Sequence, residues 1–326
     1  RGDPEKPGDV VPRRWLELFG GEKVSPGAGS GRLQLAGWLT DAKNPLVSRV
    51  VVNRVWQYHF GRGLVATPND FGTRGQKPTH PELLDYLAGW FVASGWDFKA
   101  LHRAIMGSRA YQRSAEMADS EEFHRNIGAD PNNSFLWRFD RRRLSAEELR
   151  DSLLQASGGL DLSPGGPHPL PDSASWSYTQ HVPFAGVPET PKRSVYQMTL
   201  RNRRAAFMAL FDGADPNATT PLRQVTTVPT QSLFFMNDPF FHAQADALAR
   251  RVMAEPVTVD KTERLYGILY QRAATADERK RAEGFIRRYE AMLAGQGQAE
   301  SAARLQSAWA AMCRVLLSSN EFLYLD

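Results

Sequence analysis

Residues 44–60 read NPLVSRVVVNRVWQYHF, and whether they form a strand or a helix decides the fold. The valine run at 50–52 favours a strand, because β-branched side chains suit a pleated surface. The length of the stretch argues the other way. Leu46, Val50 and Val51 recur at helical spacing, and Pro45 suits a first helical turn. The stretch predicts a buried helix, and with it a mainly α fold. On the same helix Arg49, Asn53 and Gln57 form one polar stripe at i, i+4 and i+8. Such a stripe could meet an anionic or sugar ligand, or satisfy backbone carbonyls and a carboxylate inside a helix interface.

Outward from this helix the chain is punctuated by caps. Thr79 and Glu82 have capping-box spacing ahead of LLDYLAGWF, and Asp97 stands before FKALHRAIM. Ser145 with Glu148 and Thr275 with Glu278 repeat the box, Gly158-Gly159 supplies a stop, and Asp238-Pro239 marks another start. SVYQMTLR alternates like a half-buried strand, and RQVTTV at 223–228 is its natural partner. The expectation is about nine helices with a small two-stranded β element. Residues 1–31 are Pro- and Gly-rich and read as an extended arm or linker from an upstream domain, with one helical domain over 32–326. Residues 158–192 hold 5 Gly and 7 Pro, so a long irregular loop is expected there. The first residue is Arg1, which suggests a piece of something longer.

Composition bounds the function. With 42% hydrophobic residues in 326, a sizeable core is available. Lys plus Arg minus Asp plus Glu is 40 − 36 = +4, too little to argue for nucleic acid. The one cysteine, Cys313, permits no intrachain disulfide, no cysteine zinc cluster and no CxxCH haem attachment, so no cofactor is expected within the chain. No apolar run reaches the roughly 20 residues a membrane-spanning helix needs. The seven histidines show no i, i+4 metal spacing, so a histidine site would have to be assembled from distant segments.

Two further clusters carry charge. In WRFDRRRLSAEELRD, residues 137–151, Arg143 belongs to a run of three arginines that Asp140, Glu147, Glu148 and Asp151 can offset. Lys192, Arg193, Arg201, Arg203 and Arg204 place five positive charges in 192–204 without a carboxylate. That excess suits an acidic polysaccharide or partner surface, with Asp212 and Asp215 as the internal counter-charges. Asp212, Asp215, Asn217 and Thr219 offer oxygens to a calcium ion, although their spacing departs from the twelve-residue calcium loop. The same residue types are what turns require. Arg223 and Thr227 complete the candidate ligand-binding set on the expected partner strand. If the chain were a glycosidase, Asp212 or Asp215 would need a second carboxylate roughly 5 to 9.5 Å away across a cleft.

Several ordered stretches carry a resemblance: NPLVSRVVVNRVWQYHFGRGLVATPNDFG, the run from PTHPELLDYLAGWF to AIMGSRAYQRS, RRRLSAEELRDSLL, RSVYQMTL, LFDGADPN, TTVPTQSLFFMNDPF and AWAAMCRVLLSSNEFLYLD. Together they resemble the planctomycete cytochrome-c-associated domain of unknown function. That domain is usually the C-terminal part of large secreted or periplasmic proteins. The resemblance implies a periplasmic or secreted location, and as partners an upstream companion domain and a cytochrome c module, sometimes with carbohydrate-binding modules. It implies no catalytic residues. The functional expectation is an accessory domain that binds a partner domain or polysaccharide. A carbohydrate-active enzyme, hydrolytic or oxidative, and a purely structural scaffold are the alternatives.

Overall fold

The computed structural model describes residues 3–168, 170, 172, 174, 188–201, 204–297 and 300–325. The chain divides into two compact units, Arg1–Asp140 and Arg141–Asp326.

Unit 1 holds five helices: α1 (Arg32–Thr40), α2 (Val47–Phe60), α3 (Pro81–Ala93), α4 (Phe98–Met106) and α5 (Glu121–Ala129). The stretch at 44–60 is helical, as its length predicts. The side chain of Asn44 accepts the N–H groups of Leu46 and Val47 and so starts α2 beyond Pro45. The face it buries is Val52, Val55, Trp56 and Phe60. Leu46, Val50 and Val51 are only half-buried. Against that face pack Leu84, Leu87 and Phe91 of α3 and Leu101 and Ile105 of α4, all buried. Residues 13–24 are not simply extended: they close a small hairpin, with Val24 N–H donating to Arg13 C=O and Trp15 N–H to Glu22 C=O. Trp15 stacks on Trp38 of α1 with ring centres 5.6 Å apart.

Unit 2 holds β1 (Arg142–Arg143), α6 (Ala146–Ser157), α7 (Ala206–Leu210), α8 (Pro229–Asn237), α9 (Pro239–Met253), α10 (Lys261–Tyr270), α11 (Ala276–Gly295), α12 (Ser301–Leu317), α13 (Asn320–Leu323) and β2 (Tyr324–Leu325). Its core runs along α9 and α12, with α11 against α12 and α6 against α9. Ala245, Ala249 and Ala308 are fully buried. Their small side chains let these helices approach closely, while Phe241, Leu248 and Leu317 fill the space between. Burying one such large side chain stabilises the fold by about 1.5 to 3 kcal/mol.

The expected caps at Asp97, Ser145, Asp238 and Thr275 all form, and Gly158 ends α6 at φ 82°. Other expectations are corrected. Among the described residues there are thirteen helices rather than about nine, and α7 and α13 are single turns. The Thr79–Glu82 box is not made. α3 starts one residue later, behind His80, and Thr79 spends its N–H on the carbonyl of Leu64.

The expected pair of strands at 196–200 and 223–228 is absent. The two-stranded antiparallel element joins Arg142 to Leu325 and Arg143 to Tyr324 instead. Local turns and side chains explain the difference, because they take backbone groups a ladder would need. The first segment begins instead in a 3-10 turn at Ser194–Tyr196, where Tyr196 N–H donates to Arg193 C=O and Gln197 N–H to Ser194 C=O, while Asp151 accepts the N–H of Ser194 at 2.8 Å. In the second, Thr226 N–H goes to Asp212 and Val228 N–H to Gln231.

The 158–192 loop falls partly outside the described residues. Its two ends meet where Asp161 N–H donates to Pro191 C=O and the Lys192 ammonium lies 3.1 Å from the Asp161 carboxylate.

Candidate functional site

Three of the sequence candidates, Arg143, Asp212 and Arg223, come together in unit 2 near Thr226. Asp212 sits in the left-handed region at φ 61°, where Asp is better tolerated than most residues. Its carboxylate accepts the N–H of Thr226 at 2.8 Å and the Thr226 hydroxyl at 2.9 Å. The carbonyl of Thr226 in turn accepts from Arg143 at 2.6 Å, and the same guanidinium donates to Gln231 at 3.0 Å while lying over the ring of Phe211. Gln231, itself buried, returns its amide to the carbonyl of Leu210.

Two bidentate ion pairs flank this knot. Arg223 meets Glu147 at 2.9 and 3.2 Å, and Arg142 meets Glu148 at 2.9 Å through both nitrogens. Burial raises the cost of charging Glu148, but the Arg142 guanidinium and the Ser145 N–H more than offset it and hold the carboxyl down at about 2. Of the arginine run, Arg142 is offset by a carboxylate of α6, whereas Arg143 is spent on Thr226 C=O and the Gln231 amide oxygen.

The remaining candidates lie elsewhere. Arg193 is 3.9 Å from Asp151 and its side chain is mostly exposed. Lys192 takes Asp161, so for Lys192 and Arg193 the near counter-charges are Asp161 and Asp151. Arg201 is exposed, and its carbonyl accepts from Asn217 at 2.6 Å. Arg203 lies outside the described residues. Asp215 accepts the N–H of Asn217 at 2.9 Å, which is a turn contact. Thr227 is exposed.

In unit 1, Arg49 pairs with Asp85 at 2.7 Å and also donates to the carbonyl of Pro45, and the guanidinium keeps the Asp85 carboxyl below its ordinary value. Asn53, fully buried, donates to Val65 C=O at 2.9 Å and accepts Val65 N–H at 2.7 Å. Arg49 and Asn53 of the polar stripe on α2 thus serve backbone and carboxylate partners within their own unit. His59 and His102, far apart in sequence, meet with their ring nitrogens 2.8 Å apart.

A different set of residues lines a small open pocket in unit 1, with a cavity volume of about 30 Å3. One wall is the turn after α2, with Arg62, Gly63 and Leu64 above the buried rings of Trp56 and Phe60. Asn53 holds this turn from behind through the Val65 peptide. Gly63 is required there: a Cβ on it would lie 2.6 Å from the carbonyl oxygen of Val65 and 2.8 Å from the Asn53 amide. Thr79 and His80 close one end, their side chains 3.0 Å apart, and Thr79 N–H ties them to Leu64 C=O.

The opposite wall is the loop 132–136, with Asp140 beyond it. Buried Asn133 repeats the Asn53 device, donating to Arg138 C=O at 2.9 Å and accepting its N–H at 3.3 Å. Asp130 adds a second anchor by accepting the N–H groups of Ser134 and Phe135. The loop carries two residues in the left-handed region, Asn133 at φ 49° and Leu136 at φ 55°. A leucine there stores about 1 to 2 kcal/mol of strain, which the surrounding hydrogen bonds must hold.

Sequence reasoning put Asn53 but none of the pocket's lining residues in the ligand-binding set, and read Thr79 as a cap and Asp140 as a counter-charge. The available signal was the polar run DPNNSF at 130–135, whose Asp and Asn can organise a turn through their side chains.

One family model, described as PSD1, protein of unknown function (DUF1553), matches residues 31–286. No curated protein and no solved structure matches the chain.

Proposed function

The chain belongs to the PSD1 family of proteins of unknown function (DUF1553), and on that premise we propose that it is an accessory binding domain of a larger extracytoplasmic, cytochrome-c-associated protein. It engages a polysaccharide or a partner domain rather than transforming a substrate by acid–base chemistry. The observation that supports this most is the use to which Asp212 is put. Both of its carboxylate oxygens accept from Thr226, so the leading sequence candidate for an acid or base works as a brace. Nearby, Arg142 and Arg223 pair with Glu148 and Glu147 of α6. The unit 1 pocket, by contrast, has the polar residues Arg62, Asn132 and Ser134 among those that line it.

The reading is tested by incubating the whole chain with soluble polysaccharides while following both binding, by calorimetry, and release of reducing ends. Saturable binding without product formation is expected. Product formation that Asp212→Asn abolishes, with the melting temperature preserved, would replace the binding reading by the hydrolase.

A further inference from the structure

We infer that residues 223–228 form an open strand edge, to which an extended segment of a partner protein adds as a further strand. The inference rests on the partner-binding half of the reading above and names the kind of partner and the place where it docks.

The sequence of this segment points to a sheet. Val225, Thr226, Thr227 and Val228 are a run of β-branched residues, the type that suits a pleated surface. The fold gives the run no ladder: among the described residues, the two-stranded element joins Arg142–Arg143 to Tyr324–Leu325. Residues 223–228 nevertheless continue without turn or bend, and Val228 is extended at φ −125° and ψ 148°.

Which way the backbone faces decides what the edge can do. In an extended chain the N–H and C=O of one residue point to one side and those of the next residue to the other. Thr226 N–H donates to Asp212, Thr226 C=O accepts from Arg143, and Val228 N–H donates to Gln231. Residues 226 and 228 thus turn their peptide groups into unit 2. Val225 and Thr227 turn theirs the opposite way. Both residues are exposed, and among the described residues no group pairs with their N–H or C=O. Donors and acceptors repeated at i and i+2 are what an added strand satisfies with its own backbone.

The edge is also left unguarded. Open edges are commonly protected by a charge, a proline or a bulge. Between Pro221 and Pro229 the one charged side chain is Arg223, and Glu147 holds it in a bidentate pair. Apolar side chains are exposed instead: Leu222 and Val225 on the segment, and Leu233 and Met236, one turn apart, on α8 directly after it. They suit the alternate side chains of an apolar strand. Charge sets the flank of that strand. Arg204, itself exposed, donates to the carbonyl of Gly213, the neighbour of Asp212, and has no carboxylate partner among the described residues. The partner segment is therefore apolar at alternate positions with an acidic flank.

Fluorescence anisotropy of the whole chain tests this with a labelled peptide of alternating valine and threonine that carries glutamates at both ends. Saturable binding below millimolar concentration is expected. Methylating every second amide nitrogen of the peptide, which leaves its side chains in place, should weaken binding about tenfold in one register and little in the other. Val225→Pro should weaken it about tenfold with the melting temperature unchanged, because the N–H it removes has no partner within the described chain. Exchanging the glutamates for lysines should also weaken binding, and equal binding of the lysine peptide would overturn the acidic flank. Binding that survives both methylated registers and Val225→Pro would overturn the strand edge. Absence of peptide binding at millimolar concentration would overturn it too, and saturable binding of a polysaccharide in the calorimetry above would then leave the wider binding reading standing.

Discussion

In unit 2 the carboxylate of Asp212 accepts the N–H and hydroxyl of Thr226, the carbonyl of Thr226 accepts from Arg143, and Glu147 takes Arg223. In the unit 1 pocket the hydrogen bonds run behind the lining, from Asn53 to Val65 and from Asn133 to Arg138, while Arg62, Asn132 and Ser134 border the open space. Both regions spend buried polar groups on irregular backbone. The first closes on itself and so braces three segments. The second uses its buried amides as scaffolding and leaves a further layer of polar groups to face outward. A dense patch of charged residues is thus a poor guide to a ligand site until the partners of each group are known.

The comparison can be broken most severely at Asn53. Asn53→Ala leaves the N–H and C=O of Val65 buried without their partners, and should cost about 3 kcal/mol in the unfolding of unit 1 by urea titration. A loss below about 1 kcal/mol would mean that the turn at 62–65 is not held by this amide. The knot should be somewhat more forgiving. Arg143→Met keeps the side-chain stem but strips the partner from Thr226 C=O and Gln231, for about 2 kcal/mol in the unfolding of unit 2. No change would show that Arg143 is dispensable to the brace.

The smallest effect concerns acid. Glu148 titrates at about 2 in the folded chain against an ordinary 4.5. The unfolded chain therefore binds the proton first, so the stabilisation is present above pH 4.5 and is lost as pH falls toward 2. In Glu148→Gln the fall in melting temperature between pH 4.5 and 2 should be shallower than in the parent. The carboxylate is partly exposed, which keeps the difference modest.

Much of the helical framework was legible because caps are local. Ser145 with Glu148, Thr275 with Glu278, Asp238 before Pro239, and Gly158 each announce a boundary within four residues, and each forms. The alternation in SVYQMTLR misled because period two states which faces a segment would show, not who takes its hydrogen bonds. Here Asp151 of α6 takes the N–H of Ser194, and a 3-10 turn takes those of Tyr196 and Gln197. Glu121–Ala129 and Lys261–Tyr270 lack a long apolar run, and their caps, Ser120 and Asp260, were overlooked. For the candidate residues, sequence could show that charges cluster at 141–151 and 192–204 but not that Glu147 would reach Arg223 across 76 positions. The pocket was hidden for the same reason. Residues 62–64, 79–80 and 132–140 belong to three separate loops, and their convergence is a property of the packing of α2 and α3 and of two buried asparagines.

The central claim is that the charged groups of unit 2 close on one another as a brace, while the buried amides of unit 1 hold their own loops. Hydrogen–deuterium exchange of the whole chain, parent against Asp212→Gly, tests it most directly, because glycine keeps the left-handed backbone at 212 and removes the side chain. The account predicts faster exchange in peptides covering 204–231, with no change over 62–65, 79–84 and 130–138. Unaltered exchange over 204–231 would contradict it.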